Sequence, residues 1–311
     1  MVGFNIFEQN YNKMGRGNNL PVTINLPYLA LESKGDEEQF FSKLNEILHY
    51  ARKSLLIRYN IMINQKPTVA PFMYGNNTIM DSSECINNVE NALKNNSLAI
   101  GYIGVAECTK VLTGHYHCET KEAQELGVKI VKRIRDYCDE CTKNDKLNFV
   151  TYASPSEGFC EQALQGIRRE FGIIEGVSDK EFITNSHHCP VQLGVPIVKK
   201  VDVESEYAKL SNGGNIFHIE VDGVNYNQNA ITKAIDYALD KDIPYIRISH
   251  PIATCMDCSY SVGAFMETCE KCGGDNIENL AIVTGYLTTD KRQMNKGKRD
   301  EVSKRELNVV E

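Results

Sequence analysis

The sequence Cys255-Met-Asp-Cys258 is followed, after ten residues, by Cys269-Glu-Lys-Cys272-Gly-Gly. Two CxxC pairs separated by a short loop can direct four thiolates toward one point, which is the tetrahedral arrangement of Zn²⁺ in closed structural sites. We therefore predict a zinc site with Cys255, Cys258, Cys269 and Cys272 as ligands. Four thiolates leave no open coordination position, so the expected role of the zinc is structural. The alternative is a pair of disulfides or four unrelated thiols, which a reducing compartment disfavours.

The composition, with 42% hydrophobic and 24% charged residues in 311, is typical of a soluble globular protein. No apolar run is long enough to cross a bilayer, and the chain opens without a secretory leader, so we expect a cytoplasmic protein without a membrane segment. The formal net charge of −7 argues against direct nucleic-acid binding. Seven of the eleven cysteines lie outside the two pairs without regular spacing, as expected for reduced thiols.

Strands alternate with helices along the chain, which predicts an α/β fold. The clearest helix covers residues 35–64, where apolar residues recur at three- and four-residue intervals behind an acidic first turn. Strands are predicted at 22–26, 97–104, 216–221 and 245–249 and from Phe149 into a proline turn, with helices at 85–94, 107–113, 123–141, from about 159, and 229–241. The residues after Asp290 are interpreted as a charged tail.

Polar residues just after predicted strands are candidate site residues, because α/β proteins commonly place their sites there. Ser156 and Glu157 follow one strand, where hydroxyls and amides at a helix start can cradle phosphate; the alternative is simple capping by Ser154 or Ser156. Glu107 follows another strand, with a solvated helix start as the alternative. The asparagines near the first strand, Asn18, Asn19 and Asn25, are candidate ligand-binding amides or turn formers.

Two further pairs of residues are weaker candidates for a functional site. Cys138 and Cys141 form a CxxC pair that we predict to lie on a solvated helix face. His187 and His188 are adjacent and therefore point in different directions along an extended chain, so a two-histidine metal site is not expected, although one of the two could face a pocket.

The segment Ile282-Val-Thr-Gly285-Tyr-Leu287, with Asn295-Lys-Gly-Lys298 in the charged tail, resembles the glycyl-radical loop of class III anaerobic ribonucleotide reductases. A glycine suits that chemistry because its flanking amides stabilise a Cα radical and no side chain obstructs the activating enzyme. A glycine bend in a buried strand is the alternative. The resemblance extends through Gly15-Arg-Gly-Asn-Asn-Leu, Val-Thr-Ile-Asn-Leu-Pro27, Gly101-Tyr-Ile-Gly, Ser154-Pro-Ser-Glu157 and Thr184-Asn-Ser-His187.

The resemblance implies half of a ten-stranded α/β barrel over residues 1–250 and a zinc-binding and glycyl-radical domain over residues 251–311. It implies a radical stored on Gly285, catalytic and ribose contacts from Asn19, and substrate contacts from Ser156, Glu157 and Asn185. The implied reaction reduces ribonucleoside triphosphates to deoxyribonucleotides, the precursors for DNA replication, with formate as reductant. A radical-SAM iron-sulfur activase is the implied partner, and the complete enzyme is expected to be a homodimer.

Two departures from the family pattern qualify this interpretation. The family's chains are roughly twice as long, and their thiyl-forming cysteine lies shortly upstream of the Gly-Arg-Gly-Asn turn, whereas the first cysteine here is Cys85. We therefore expect the chain to be the C-terminal half of a split or truncated enzyme that works with a separate N-terminal half. In addition, Ile282 stands where an arginine usually precedes the glycine loop, which bears on recognition by the activase.

Two other functions are consistent with parts of the sequence. A glycyl-radical enzyme of the pyruvate formate-lyase kind shares the glycine loop but lacks four cysteines before it. A non-catalytic zinc-ribbon interaction protein would keep the cysteines, and its glycine would be merely structural. Zinc content cannot separate the second alternative from a reductase, whereas a radical signal that depends on Gly285 can.

Overall fold

The computed structural model describes residues 16–156, 158–283, 286–288 and 294–308. A first sheet contains three parallel strands, in the order β1-β2-β3: β1 (Asn18–Asn25), β2 (Ser97–Ile103) and β3 (Asn148–Ala153). Strand β2 is buried along its whole length because it is the central strand of this sheet. The parallel arrangement brings the carboxyl ends of all three strands to one edge of the sheet.

Helices connect these strands. Between β1 and β2 lie α1 (Leu26–Glu32), α2 (Glu37–Ile63), α3 (Pro71–Gly75) and α4 (Glu90–Leu93), and between β2 and β3 lie α5 (Val105–Thr113) and α6 (Lys121–Asp145). The predicted amphipathic helix is confirmed as α2. Its N-cap residue is Asp36, whose side chain accepts a hydrogen bond from the Gln39 amide at 2.8 Å. Its buried face, Phe40, Leu44, Leu48, Ala51, Leu55 and Tyr59, belongs to the main core.

A second sheet pairs β4 (Phe217–Glu220) with β5 (Ile246–Ser249), again in parallel. Helices α7 (Phe159–Phe171) and α8 (Ile197–Leu210) precede β4, and α9 (Gln228–Asp240) connects β4 to β5. The segment before β4 follows the outer edge of β3, because the Gly213 amide donates to the Thr151 carbonyl at 2.8 Å and Gly214 accepts from Ala153 at 3.1 Å. Strands β1 to β3 are thus parallel within one sheet and β4 and β5 within a second, and the second sheet follows the first in chain order.

The C-terminal part is an antiparallel sheet in the order β7-β6-β8-β9, followed by a helix. Its strands are β6 (Ile252–Cys255), β7 (Ser261–Val262), β8 (Ile277–Val283) and β9 (Tyr286–Thr288), and the helix is α10 (Lys296–Ser303). Gly285 lies outside the described residues. Within the part of the chain that is described, no helix is long and apolar enough to cross a membrane.

The α/β class is confirmed, but several local predictions are wrong. The strand predicted at 22–26 ends at Asn25, and Leu26 begins α1 instead, with Pro27 in its first turn, where the missing amide hydrogen costs nothing. The pair Cys138 and Cys141 does not face solvent: both thiols lie in the main core, 0% and 2% exposed. Helices α1, α8 and α10 were not predicted, and only a short part of the helix predicted at 85–94 forms.

Candidate functional site

The four predicted zinc ligands converge. The Sγ atoms of Cys255, Cys258, Cys269 and Cys272 all lie within 4.8 Å of one another, and this is the only such group of possible metal ligands among the described residues. The Cys255–Cys272 and Cys258–Cys269 sulfur pairs are each 3.6 Å apart. A disulfide needs about 2.05 Å, whereas sulfurs placed tetrahedrally about 2.3 Å from a zinc lie about 3.8 Å from each other. The residues therefore fit a metal and not two disulfides.

Both CxxC pairs use the same backbone turn. The Cys255 carbonyl accepts the Ser259 amide at 2.9 Å, and the Cys269 carbonyl accepts the Gly273 amide at 2.8 Å. Ser259 and Gly273 both adopt positive φ, at 60° and 76°. The chain turns back on itself after each pair, so two separate segments present their thiolates in matching geometry.

The second candidate region lies at the carboxyl ends of the first sheet. There, the Ser154 hydroxyl just after β3 hydrogen-bonds to the Thr23 hydroxyl of β1 at 2.8 Å. The bond passes over Gly101 of the central strand β2, where a Cβ would collide with the Ser154 oxygen. The glycine therefore lets the turn after β3 fold across the sheet.

Ser156, one of the predicted substrate residues, lies in this turn in a strained conformation. Its φ is 44°, which L residues rarely adopt, and its hydroxyl oxygen is buried without a hydrogen-bond partner among the described residues. Helix α7 begins at Phe159 without a side-chain cap, so neither Ser154 nor Ser156 serves as the predicted alternative cap. Glu157 lies outside the described residues.

A loop at residues 184–186 lies beside the start of α5. Its backbone is held by the Gly104 amide, which donates to Thr184 at 2.9 Å, and by the Val105 amide, which donates to Ser186 at 3.1 Å. This loop carries Asn185, another predicted substrate residue, which is 4% exposed.

Glu107 anchors this loop. It is fully buried, and its Oε1 accepts hydrogen bonds from Lys180 Nζ at 2.5 Å and from the amide and hydroxyl of Thr184 at 2.9 and 2.6 Å. Its other carboxylate oxygen has no partner within the described ranges. Glu107 is thus neither a solvated helix start nor a group open to a ligand; it is a buried charge that is paired with Lys180 and fixes the Thr184 backbone.

The structure brings Ser156 close to Asn185 but not to Asn19. The Asn185 amide contacts the carbonyl of Pro155, the residue before Ser156, at 3.0 Å. Asn19 lies at the opposite, amino-terminal end of β1, where its Oδ1 accepts from Asn96 at 3.2 Å. Six residues of strand separate Asn19 from the carboxyl end of β1, which is roughly 20 Å.

Buried histidines form a feature that sequence reasoning missed. The Tyr102 hydroxyl lies 2.7 Å from His187 Nδ1, the His187 ring stacks on Tyr207 with centroids 5.0 Å apart, and His117 Nε2 lies 2.9 Å from the His187 carbonyl. Burial lowers the pKa of His117 to about 4 and that of His187 to about 3. Both rings are therefore neutral packing groups at neutral pH, and no sequence pattern distinguishes such histidines from ligands.

Charged residues from the C-terminal segment are buried as well. Lys298 is 1% exposed and donates to Glu301 at 2.7 Å, while Arg305 pairs with Glu301 at 3.0 Å and with Glu220 at the end of β4 at 2.9 Å. Burial by itself would raise the pKa of Glu301, but the charges of Lys298 and Arg305 outweigh it and lower that pKa to about 2. Residues 294–308, the described part of the predicted charged tail, are therefore packed into the fold, with their buried charges paired.

An open groove of about 520 Å³ runs along β1. Strand β1 is an edge strand in the described sheet, and the groove is bounded by residues of β1, α1 and α2 and by Phe159. Its lining is mainly apolar, including Ile24, Ile47 and Tyr50, and Tyr50 is 55% exposed. An apolar surface beside an open strand edge is typical of a place where further chain docks.

Comparisons with known proteins agree with one another. Residues 4–307 match the family model described as anaerobic ribonucleoside-triphosphate reductase. The anaerobic ribonucleoside-triphosphate reductase of Escherichia coli strain K12 is 34% identical over 303 residues, covering 94% of this chain and 42% of the relative. The enzyme of that name from Enterobacteria phage T4 is 26% identical over 306 residues, covering 94% and 49%. The chain thus spans a little under half the length of the curated relatives it matches.

Solved structures show the same fold. The anaerobic ribonucleotide reductase from Thermotoga maritima with glycerol in the active site superposes with a TM-score of 0.71 at 21% identity, covering 90% of this chain and 43% of the other. A second structure, an anaerobic ribonucleotide reductase, gives a TM-score of 0.73 at 20% identity, covering 98% of this chain and 48% of the other.

Proposed function

Because the chain belongs to the anaerobic ribonucleoside-triphosphate reductase family, we propose that it supplies the C-terminal half of an enzyme that reduces ribonucleoside triphosphates to 2′-deoxyribonucleoside triphosphates by glycyl-radical chemistry. The match over 94% of this chain to a relative of which it covers only 42% carries the proposal. Residues 1–250 are the barrel part in this proposal, and residues 251–311 are the zinc and radical domain.

The architecture supports a half-barrel. The strands β1 to β5 form one sheet of three and one sheet of two, each parallel, and their number is half of the ten expected for a complete barrel. The edge of β1 and its apolar groove are the surface on which the N-terminal half docks. In the isolated chain that groove and strand edge are exposed, so we expect the isolated chain to associate or aggregate.

In this proposal the candidate site residues have the following roles. Gly285 stores the radical, and the four cysteines hold a structural zinc next to the strands that flank it. Ser156, Glu157 and Asn185 contact the nucleotide at the carboxyl ends of the strands, and Asn19 contacts the ribose. Since Asn19 lies at the opposite end of β1, only a binding site that extends along the sheet could contain both it and Ser156.

The chemistry needs a cysteine from the N-terminal half. A radical-SAM iron-sulfur activase generates the radical on Gly285, and that cysteine receives it as a thiyl. The thiyl removes the ribose 3′-hydrogen, the 2′-hydroxyl leaves as water, and formate supplies the two electrons. The barrel interior protects the radicals from water and stray reductants. The complete enzyme is a homodimer in this proposal.

The decisive experiment is co-expression with an N-terminal polypeptide that carries the thiyl cysteine, followed by anaerobic activation and assay. We expect a stable complex, a glycyl-radical signal and deoxyribonucleotide product, with no activity from either half alone. The Gly285→Ala variant is the matched control and should form the complex without signal or product. A complex that shows neither radical nor product after activation would favour a zinc-containing interaction protein instead, and reductase activity of the isolated chain would overturn the split-enzyme proposal.

A further inference from the structure

The N-terminal end of α10 is inserted between the start of α7 and the loop that leads to Asn185. Lys296 pairs with Glu181 at 2.9 Å on the surface, and the Gly297 amide donates to Glu161 of α7 at 3.4 Å. A Cβ on Gly297 would lie 2.8 Å from the Glu181 carbonyl, so only glycine allows this close approach. The segment that follows Gly285 in the chain is therefore docked against the candidate substrate loops.

Lys298 makes the deepest contact of this insertion. Its ammonium lies 2.7 Å from the side-chain amide of Asn185 and 2.7 Å from Glu301 Oε2. An ammonium can only donate and the Pro155 carbonyl can only accept, so the Asn185 oxygen must face Lys298 and its nitrogen must face Pro155. In that orientation Asn185 connects Lys298 to the turn that contains Ser156.

Further hydrogen bonds fix both the Asn185 loop and the Ser156 turn. The Asn185 loop is fixed on its other side by Glu107, through the Thr184 amide and hydroxyl. The Ser156 turn is fixed on its other side by the bond between Ser154 and Thr23. Lys298 is thus the only described C-terminal group that bonds to the Asn185 side chain, and this side chain also contacts the Cys160 thiol at 2.9 Å. A backbone hydrogen bond from the Ile183 amide to the Cys160 carbonyl, at 3.4 Å, joins the two segments as well, so Asn185 is the side-chain link between them.

We propose that Lys298 is a positioning residue that couples the radical-bearing segment to the substrate site: it holds Asn185, and through Asn185 the Ser156 turn, in the arrangement that receives the nucleotide. The substrate role of these loops rests on the proposed function. The coupling itself rests only on the contacts above. The nucleotide site is then fully assembled only when the C-terminal segment is docked.

The first test measures amide hydrogen exchange in the full chain by itself and does not depend on enzyme activity. Removing Lys298 alone would leave the buried Glu301 with Arg305 as its remaining partner and unbalance the cluster. The test variant is therefore the pair Lys298→Met and Glu301→Gln, which removes both charges and leaves Arg305 paired with Glu220. We expect exchange in peptides covering 154–160 and 181–188 to be about tenfold faster, as for loss of a hydrogen bond to a charged group. Lys304→Met, at the C-terminal end of α10, where Lys304 pairs with Asp300 at 2.9 Å, should leave it unchanged.

The second test uses the reconstituted enzyme. We expect the double variant to keep its glycyl-radical signal but to show a KM for the nucleotide raised about tenfold, with a smaller change in kcat, because the lost contact orders the binding site. Unchanged loop exchange would overturn the coupling whether or not the enzyme is active. Faster exchange together with equal loss of radical, kcat and order in 294–308 would also overturn it, by showing that Lys298 merely anchors the segment. An inactive wild-type complex would count against the proposed function, and the exchange result would still decide the coupling.

Discussion

The hydroxyls of Thr23 and Ser154 form a 2.8 Å hydrogen bond although their strands, β1 and β3, are not neighbours. The bond crosses the central strand at Gly101, the one position of β2 without a side chain. It ties the turn that carries Ser156 to the edge strand of the sheet.

Replacing Gly101 by alanine should therefore destabilise the protein, because the new Cβ would occupy the position of the Ser154 oxygen. We expect the free energy of unfolding to fall by about 3 kcal/mol, as for overpacking in a tight core. Urea denaturation measures the change. Gly166→Ala within α7, where a Cβ meets nothing within 4 Å, is the control and should stabilise by up to about 1 kcal/mol. Adding Ser154→Ala to Gly101→Ala should restore part of the loss; no recovery would locate the clash elsewhere.

Cys258→Ser should abolish metal binding, because it removes one of four converging thiolates. We expect one zinc per wild-type chain and close to none in the variant, together with faster proteolysis of residues 251–283, since zinc binding and local folding are coupled. Metal analysis by mass spectrometry gives the zinc content. Cys85→Ser, a buried thiol outside the cluster, should keep its zinc. Full zinc in the Cys258 variant would refute the assignment.

Stability should decrease as the pH falls below 6.5. His117 and His187 have pKa values lowered by burial to about 4 and about 3, so between these values and 6.5 the unfolded chain binds protons that the folded chain does not. The stabilisation is complete above pH 6.5 and is lost as the pH falls toward the folded values. At pH 5 each histidine should cost about 2 kcal/mol. Burial lowers the pKa of His218 as well, so this histidine adds to the loss. Urea denaturation at pH 7 and pH 5 tests this, and His117→Gln should show about two thirds of the wild-type difference, because His187 and His218 remain. Equal stability of the wild-type protein at both pH values would contradict it.

The Ser156→Gly variant should raise KM for the nucleotide while changing the free energy of unfolding only slightly. Glycine relieves the positive φ of 44° but gains freedom in the unfolded chain, so we expect the free energy of unfolding to change by less than about 1 kcal/mol. If the unpartnered hydroxyl contacts the nucleotide, KM in the reconstituted enzyme should rise about tenfold. Lys34→Gly, at a similar φ of 55° on the surface, should leave KM unchanged. An unaltered KM in the Ser156 variant would leave it as a turn residue.

Air exposure of the activated complex should cut the chain at Gly285. A radical on that residue reacts with oxygen, and the expected product is a C-terminal piece that begins near Tyr286. Mass spectrometry of the denatured sample identifies it. Gly285→Ala, treated in the same way, should remain whole. An uncut wild-type chain whose radical signal nevertheless disappears in air would place the radical on another residue.

Sequence patterns predicted those parts of the fold whose buried faces are apolar. Helix α2 was found because its inward positions are Phe, Leu and Ala at helical spacing. Helix α8 was missed because Lys200, Glu204 and Ser205 are among its buried residues, and α10 because its buried residues are Gly297, Lys298 and Glu301. Their burial depends on partners distant in sequence, such as Lys200 with Asn308 and Lys298 with Asn185, which no periodicity reveals.

The sequence predicted the metal ligands of the candidate site well and the arrangement of its other residues only in part. Ligand spacing alone was enough for the four cysteines, since two short CxxC segments need only one turn between them to converge. The family resemblance named both Ser156 and Asn185, and the structure brings the Asn185 side chain to 3.0 Å from the carbonyl of Pro155, the residue before Ser156. The separation of Asn19 from both was not predicted, because a motif shows which residues matter without showing at which end of a strand they lie. The anchoring role of Glu107 was not predicted either, because it depends on Thr184, which lies 77 residues further along the chain.

The buried charges of residues 298–308 have a practical consequence for protein engineering. By hydropathy the end of this chain looks dispensable, and a deletion after residue 290 would be an ordinary way to improve expression. Such a deletion would remove Arg305 and leave the carboxylate of Glu220 without its partner, and it would take Asn308 away from Lys200, which is 6% exposed. Uncompensated charges of this kind are strongly destabilising. Trimming for expression or crystallisation should therefore leave residues 294–308 in place.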